Sequence, residues 1–180
     1  MRKVIIACCF LVAAASSWPA IQQPQRPAGF AIILGPRIGV SYVMENPESF
    51  TESLHALFPV GDYFPVFTLF GVTMEQRILL GETSSHFAFQ EVILIGGLEQ
   101  SIAIPEAALL IGYRDFSGLE FGLGPILSPA GIGVLVALGW TFSFKGVFVP
   151  VDLTVILPNS KRPAAVGLTT GFNFELSSRE

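Results

Sequence analysis

The second half of the chain alternates between large apolar and small residues. From 131 to 143, Ile132, Val134, Val136, Leu138, Trp140 and Phe142 share one parity. Gly131, Gly133, Ala137, Gly139, Thr141 and Ser143 share the other, with Leu135 the one large apolar residue among them. In 146–155, Val147, Val149, Val151, Leu153 and Val155 oppose Gly146, Phe148, Pro150, Asp152 and Thr154; in 165–175, Val166, Leu168, Phe172 and Phe174 oppose Ala165, Gly167, Thr169, Gly171, Asn173 and Glu175. A period of two predicts strands whose faces meet different surroundings. The pattern returns at 37–44 and 119–124. It blurs at 63–78, 87–96 and 102–113, which are apolar on both faces toward one end and carry Glu75, Arg77, Glu91, Glu106 or Arg114 toward the other. Turn residues punctuate the chain at 81–85, 96–101, 115–118, 128–131, 144–146 and 158–163. The expected fold is all-β: an antiparallel up-and-down β-barrel of about eight strands of roughly ten residues.

Two segments test that expectation. Residues 46–58 break the alternation: Asn46 suits an N-cap, Pro47 a first helical position, and Phe50, Leu54, Leu57 and Phe58 fall on one helical face before Pro59 and Gly61. They predict one short helix after the first strand, acting as a lid or plug at a barrel mouth, as an interfacial helix, or only as a cover that excludes water. Residues 121–144 carry no charge and are long enough for a membrane helix. Two prolines and five glycines within them (Gly122, Gly124, Pro125, Pro129, Gly131, Gly133, Gly139) favour two strands joined at Ser128-Pro129-Ala130-Gly131 instead.

At the N-terminus, Arg2 and Lys3 precede the apolar run Val4 to Ala15 and the small residues Ala13-Ala14-Ala15-Ser16-Ser17, the layout of a cleaved secretory signal. The expected organisation is a signal at 1–20, a Pro/Gln-rich leader at 21–29 and a barrel at 30–180. Both cysteines, Cys8 and Cys9, lie in the signal, so the mature chain has no disulfide, thiolate metal site or cysteine nucleophile. Removing the two positive charges of Arg2 and Lys3 takes the formal charge from −4 to −6. No basic patch remains for a phosphate backbone, which argues against nucleic-acid binding. Charged residues are only 13% of the chain and the mean hydropathy is +0.61. A soluble surface needs more charge, so either burial is unusually extensive or part of the surface faces lipid.

The small-residue faces bear on that choice. Water-facing strands carry Lys, Glu, Arg and Thr; here those faces hold Gly, Ala, Thr, Ser and an occasional acid, while Lys145 and Lys161 sit in turns. Small residues suit a narrow lumen, with the large apolar face turned to lipid. Trp140, Phe142, Phe172 and Phe174, near strand ends, then suit a lipid-facing interfacial girdle; in a soluble barrel they would be ordinary core aromatics. Taken with the signal, the cysteine-free mature chain and the last strand Ala165–Phe174, this pattern resembles the small bacterial outer-membrane barrels. That resemblance implies a final strand ending in an aromatic, here Phe174, that serves in assembly, although Glu175 to Glu180 follow it. It also implies placement in the bacterial outer membrane, with periplasmic or secreted placement as the alternative.

Candidate chemistry is sparse. Arg37, Glu75, Arg77, Glu91, Glu106, Arg114, Glu120 and Asp152 lie on separate strands and could pair across a lumen. The two histidines, His55 and His86, cannot form a three-histidine metal site, and no cofactor motif is present: the glycines at 122, 124, 131 and 133 lack the further glycine and helix of a dinucleotide loop. Some outer-membrane barrels resemble lipid A-modifying enzymes, for which Ser85-His86 with Glu82 or Glu91 is the only local candidate; residues adjacent on a strand point to opposite faces. The expected role is non-enzymatic, structural or envelope-interacting, with membrane lipid as partner. The alternative is a barrel that binds a small hydrophobic ligand under the 46–58 lid.

Overall fold

A computed structural model describes residues 29–44, 51–52, 54–56, 58–59, 61–80, 85–144, 146–160 and 162–179. The expected signal and most of the leader lie outside them. The chain forms a closed antiparallel barrel: β1 (Gly29–Val43), β2 (Val66–Leu79), β3 (His86–Gly96), β4 (Ile104–Arg114), β5 (Leu119–Ser128), β6 (Gly131–Phe144), β7 (Val147–Leu157), β8 (Ala165–Gly171) and β9 (Asn173–Arg179). From β1 to β8 each strand pairs with the next, and β1 pairs with β2 on one side and with β8 and β9 on the other. Closure in this way leaves no edge strand exposed.

Strands β8 and β9 are two halves of one interrupted strand. Their registers against β1 run from Arg37↔Gly171 to Leu34↔Phe174, which sets Pro36 opposite Phe172. Their registers against β7 run from Val151↔Thr170 to Phe148↔Asn173, which sets Pro150 opposite Gly171. Proline has no N–H to give a ladder, so the Gly171–Asn173 segment loses pairing toward both neighbours at once.

The expected eight-stranded meander is therefore the observed fold. β1 begins at Gly29, earlier than the alternation at 37–44 suggests, and 121–144 is the β5–β6 hairpin, not a helix. Connections differ between the two rims. One rim, where β1 begins and β9 ends, has only the links 80–85, 115–118 and 145–146. The other carries 44–65, 97–103 and 158–164 besides the tight turn at 129–130. In the 115–118 turn the Asp115 carboxylate accepts from the N–H groups of Ser117 (2.8 Å) and Leu119 (3.1 Å). Gly118 closes it at φ +97°, which disfavours any side chain.

Residues 51–52 and 54–56 of the long connection are helical. Phe50 and Leu57, predicted on the apolar helix face, lie outside the described residues. Leu54 and Phe58 do turn to the barrel: Leu54 is buried among Val43, Tyr63, Phe67 and Ile102, and Phe58 packs against the same cluster. Tyr63 donates its hydroxyl hydrogen to the Phe58 carbonyl at 2.9 Å and sets its ring against His55 in a tilted contact, centroids 4.9 Å apart. After β3, a single 3-10 turn, Leu98–Gln100, covers the overhanging start of β2: Gln100 exchanges hydrogen bonds with the Phe64 N–H (2.7 Å) and the Val66 carbonyl (2.6 Å), and Glu99 accepts from the Thr68 N–H (3.1 Å) and hydroxyl. Slight burial raises the Glu99 pKa, but these bonds outweigh it and hold the carboxyl below its ordinary value.

Candidate functional site: a sealed, two-part lumen

Alternation along each strand assigns every wall residue to the lumen or the exterior. Inward residues near the short-linked rim and at mid-height include a connected polar group, set beside the apolar Ala31, Ile33, Ala88 and Phe148. Glu75 on β2 is fully buried and accepts from Arg77 Nε at 2.5 Å and Arg114 Nη2 at 3.2 Å, with His86 Nε2 at 3.5 Å. Arg114 on β4, 1% exposed, spans from Glu75 to Glu120 on β5, donating to Glu120 through both Nε (2.7 Å) and Nη2. Thr141 on β6 donates its hydroxyl hydrogen to the other Glu120 oxygen at 2.9 Å. Arg37 on β1 bridges Thr73 (2.9 Å) and Asp152 on β7 (3.1 Å). Arg77 also lies over the Phe148 ring, 4.5 Å from its centroid, a cation–π contact.

Three guanidinium groups (Arg37, Arg77, Arg114) thus face three carboxyl groups (Glu75, Glu120, Asp152), so the formal charge of these six residues balances. Burial on this scale is tolerable only because each charge has partners. A space of about 10 Å³ beside Arg114, Glu120 and Asp152 is the size of one water molecule.

The other half of the lumen is apolar. Leu110, Ile126, Leu135, Ala137, Ile156 and Ala165 pack together, continuous with the Leu54–Tyr63–Phe67 cluster that closes the mouth. A cavity of about 60 Å³ remains between this cluster and Arg37 and Asp152, room for about two waters at ~30 Å³ each. At the same mouth Arg162, from the 158–164 connection, donates to Glu106 at 2.8 Å and to the Gly131 carbonyl at 3.2 Å.

Six of the eight lumen candidates, Arg37, Glu75, Arg77, Arg114, Glu120 and Asp152, come together as one group. Glu106 faces the lumen but pairs with Arg162 at the mouth, apart from them. Glu91 is a correction: it lies between the inward Gln90 and Val92 and points out of the barrel, where it accepts from Gln76 Nε2 at 3.4 Å. The blurred alternation of β3 hid its parity. Sequence reasoning also missed Arg162, Thr73 and Thr141, and it placed His86 with Ser85 when its partner is Glu75 of the adjacent strand. Thr73 and Thr141 could have been found from their inward parity; Arg162, in a connection, has no periodic signal. Of the local catalytic candidates, Glu82 lies outside the described residues.

The exterior is the reverse of the lumen. Outward residues of β3 to β5 include Phe87, Phe89, Ile93, Ile95, Leu109, Ile111, Phe121 and Leu123, with Leu109 and Ile111 59% and 61% exposed. β1, β2, β6, β7 and β8 continue the same surface through Ile38, Val40, Phe70, Val72, Val134, Val151 and Leu168. Among the described outward positions of β1 to β8, Glu91 is the one acidic or basic side chain. Phe172 and Phe174, assigned to a girdle from the sequence, stand outward and exposed; Trp140 and Phe142 also face outward and are half-buried.

Comparison with protein-family models, curated proteins and solved structures gives no match. The fold and its sidedness alone define the class: a closed eight-stranded antiparallel barrel, apolar outside and ion-paired within.

Proposed function

We propose that this chain is a membrane-spanning β-barrel of the bacterial outer membrane with a sealed lumen, acting as a non-enzymatic envelope scaffold. The observation that carries the reading is its sidedness. A water-soluble protein rarely shows contiguous apolar patches beyond a few hundred Å²; here the apolar surface continues around the wall while the charges face inward. Its height also suits a bilayer. β3, β4 and β7 have 11 residues each; at ~3.3 Å per residue and a tilt of ~45° they rise roughly 25 Å, the height of the apolar band of such barrels. The short links at the rim where β1 begins and β9 ends, and the longer ones opposite, follow the periplasmic and outer sides of that architecture. The secretory layout of residues 1–20 supports the route.

The ligand-carrying reading has less support. Among the described residues the lumen cavity is far smaller than the ~300–1,000 Å³ of ordinary small-molecule sites. The full chain, refolded with phosphatidylcholine vesicles, is expected to float with them, to resist alkaline carbonate, and to pass no ionic current in a planar bilayer. Recovery in the carbonate wash would refute the membrane reading, and stepwise conductance would refute the sealed lumen.

A further inference from the structure

Gln76 and Glu91 are neighbours on the outer wall. Gln76 on β2 stands opposite Phe89, and Glu91 at the centre of β3 stands opposite Met74 and Leu109. Their single contact, Gln76 Nε2 to Glu91 Oε1 at 3.4 Å, is long, and leaves one amide hydrogen, the amide oxygen and the second carboxyl oxygen unused. On a lipid-facing wall such groups find no water to complete them, and leaving them unmade is costly. The neighbouring wall is apolar and exposed, with Ile93 and Leu109 each 59% exposed beside Glu91; Ala107, opposite Ile93, is the one outward alanine among the described positions of β1 to β8. Beyond it the β4–β5 ladder skips from Ala108↔Ile126 to Ile111↔Leu123, where Pro125 lacks a donor.

We propose that this patch is the contact between two copies of the chain in the bilayer, an inference that rests on the membrane reading. The groups left over are self-complementary. A two-fold axis beside the pair sets Glu91 of each copy against Gln76 of the other, so that amide hydrogens meet carboxyl oxygens twice, as an isologous interface requires. No other described outward position of β1 to β8 offers a carboxyl beside an amide, so the same patch on a second copy is the occupant that the wall itself specifies.

The test is energy transfer between donor- and acceptor-labelled full chains in phosphatidylcholine vesicles, followed as the lipid-to-protein ratio rises. Wild type should show transfer well above the level of random encounter. The double variant Glu91→Leu with Gln76→Leu should weaken association at least tenfold while keeping the heat-shifted gel band of a folded barrel. Glu91→Gln, whose amide oxygen can still accept from Gln76 of the other copy, should associate as wild type does, as should Val136→Leu on the opposite wall. Monomeric wild type in floated vesicles, or a double-leucine variant that associates unchanged, would overturn the proposal and leave the membrane reading intact. Failure to float would overturn both.

Discussion

Replacing Arg114 by methionine removes the cation that joins Glu75 to Glu120. Both carboxyls are at least nine-tenths buried, and Arg114 supplies hydrogen bonds to each, two of them to Glu120. After the substitution Glu75 keeps Arg77 and His86, while Glu120 loses its guanidinium and keeps only the Thr141 hydroxyl and the Asp152 carboxyl as neighbours. Breaking a buried pair by removing one member costs ~3–5 kcal/mol, chiefly because a charge is left without compensation. The single variant should lose that amount. Glu120→Leu alone should lose a similar amount, because it strands the Arg114 Nε–H. The double variant should be far better than the sum, since an apolar replacement of a buried pair is often neutral or stabilising. Its recovery, a coupling of ~1.5–3 kcal/mol, is readable in a double-mutant cycle. The assay is urea unfolding of the vesicle-bound chain, followed by tryptophan emission and by the heat-dependent gel shift. If Arg114→Met lies within ~1 kcal/mol of wild type, or if the two losses simply add, then the lumen network is not an electrostatically closed unit.

Three further outcomes follow from other parts of the barrel. Leu123→Arg, an exposed substitution near the middle of β5, should cost ~2–4 kcal/mol in vesicles by placing a cation at bilayer depth; a change within ~0.5 kcal/mol, as for an ordinary water-facing site, would refute lipid contact there. Leu54→Ala should loosen the lid by ~2 kcal/mol or more, speeding hydrogen exchange of the Phe58 N–H, which bonds the Leu54 carbonyl at 2.7 Å, at least ~30-fold; unchanged exchange would mean that Leu54 does not hold the lid. At the 3-10 turn, Glu99 has a folded pKa below its ordinary 4.5, so its stabilising effect is present above that value and is lost as pH falls through the folded pKa. Wild type should therefore exceed Glu99→Gln in thermal midpoint at neutral pH, with the gap closing in acid.

The strands that could be read cleanly from the sequence are those whose lumen face is small or polar along its length. In β6 the inward Gly133, Ala137, Gly139, Thr141 and Ser143 contrast at nearly every step with the outward Ile132, Val134, Val136 and Leu138, and only Leu135 breaks the sequence. In β4 the inward residues run from Ile104 through Ala108 and Leu110 to Gly112 and Arg114. Its apolar half packs under the lid, its polar half joins Glu75 and Glu120, and its outer face is apolar throughout. Period two disappears wherever inside and outside are equally apolar, which is why β2, β3 and β4 read as blurred and why Glu91 was assigned to the wrong face. Arg162 could not be found at all: it reaches Glu106 because the 158–164 connection folds over the mouth, a consequence of closure and not of any local pattern. The interruption at Phe172 belongs to the same kind. Pro36 and Pro150 are unremarkable in sequence, and only the register of three strands brings both to one place.

A lumen filled in this way constrains where the protein can act. Guanidinium–carboxyl pairs occupy one half, and the other is closed by Leu54, Tyr63 and Phe67 over a cavity that holds about two waters. Admitting a solute would require breaking the Arg114 and Arg37 bridges or lifting the lid, each of which sets free buried groups at a cost of a few kcal/mol. Such a barrel is better suited to stand than to conduct. Interactions with other molecules then fall to the surfaces the lumen does not use: the connections 44–65, 97–103 and 158–164 at one rim, and the wall. On the wall nearly every outward side chain can be satisfied by lipid alone. Gln76 and Glu91 are the pair that cannot, and on the membrane reading that makes β2 and β3 the side through which the barrel recognises a neighbour.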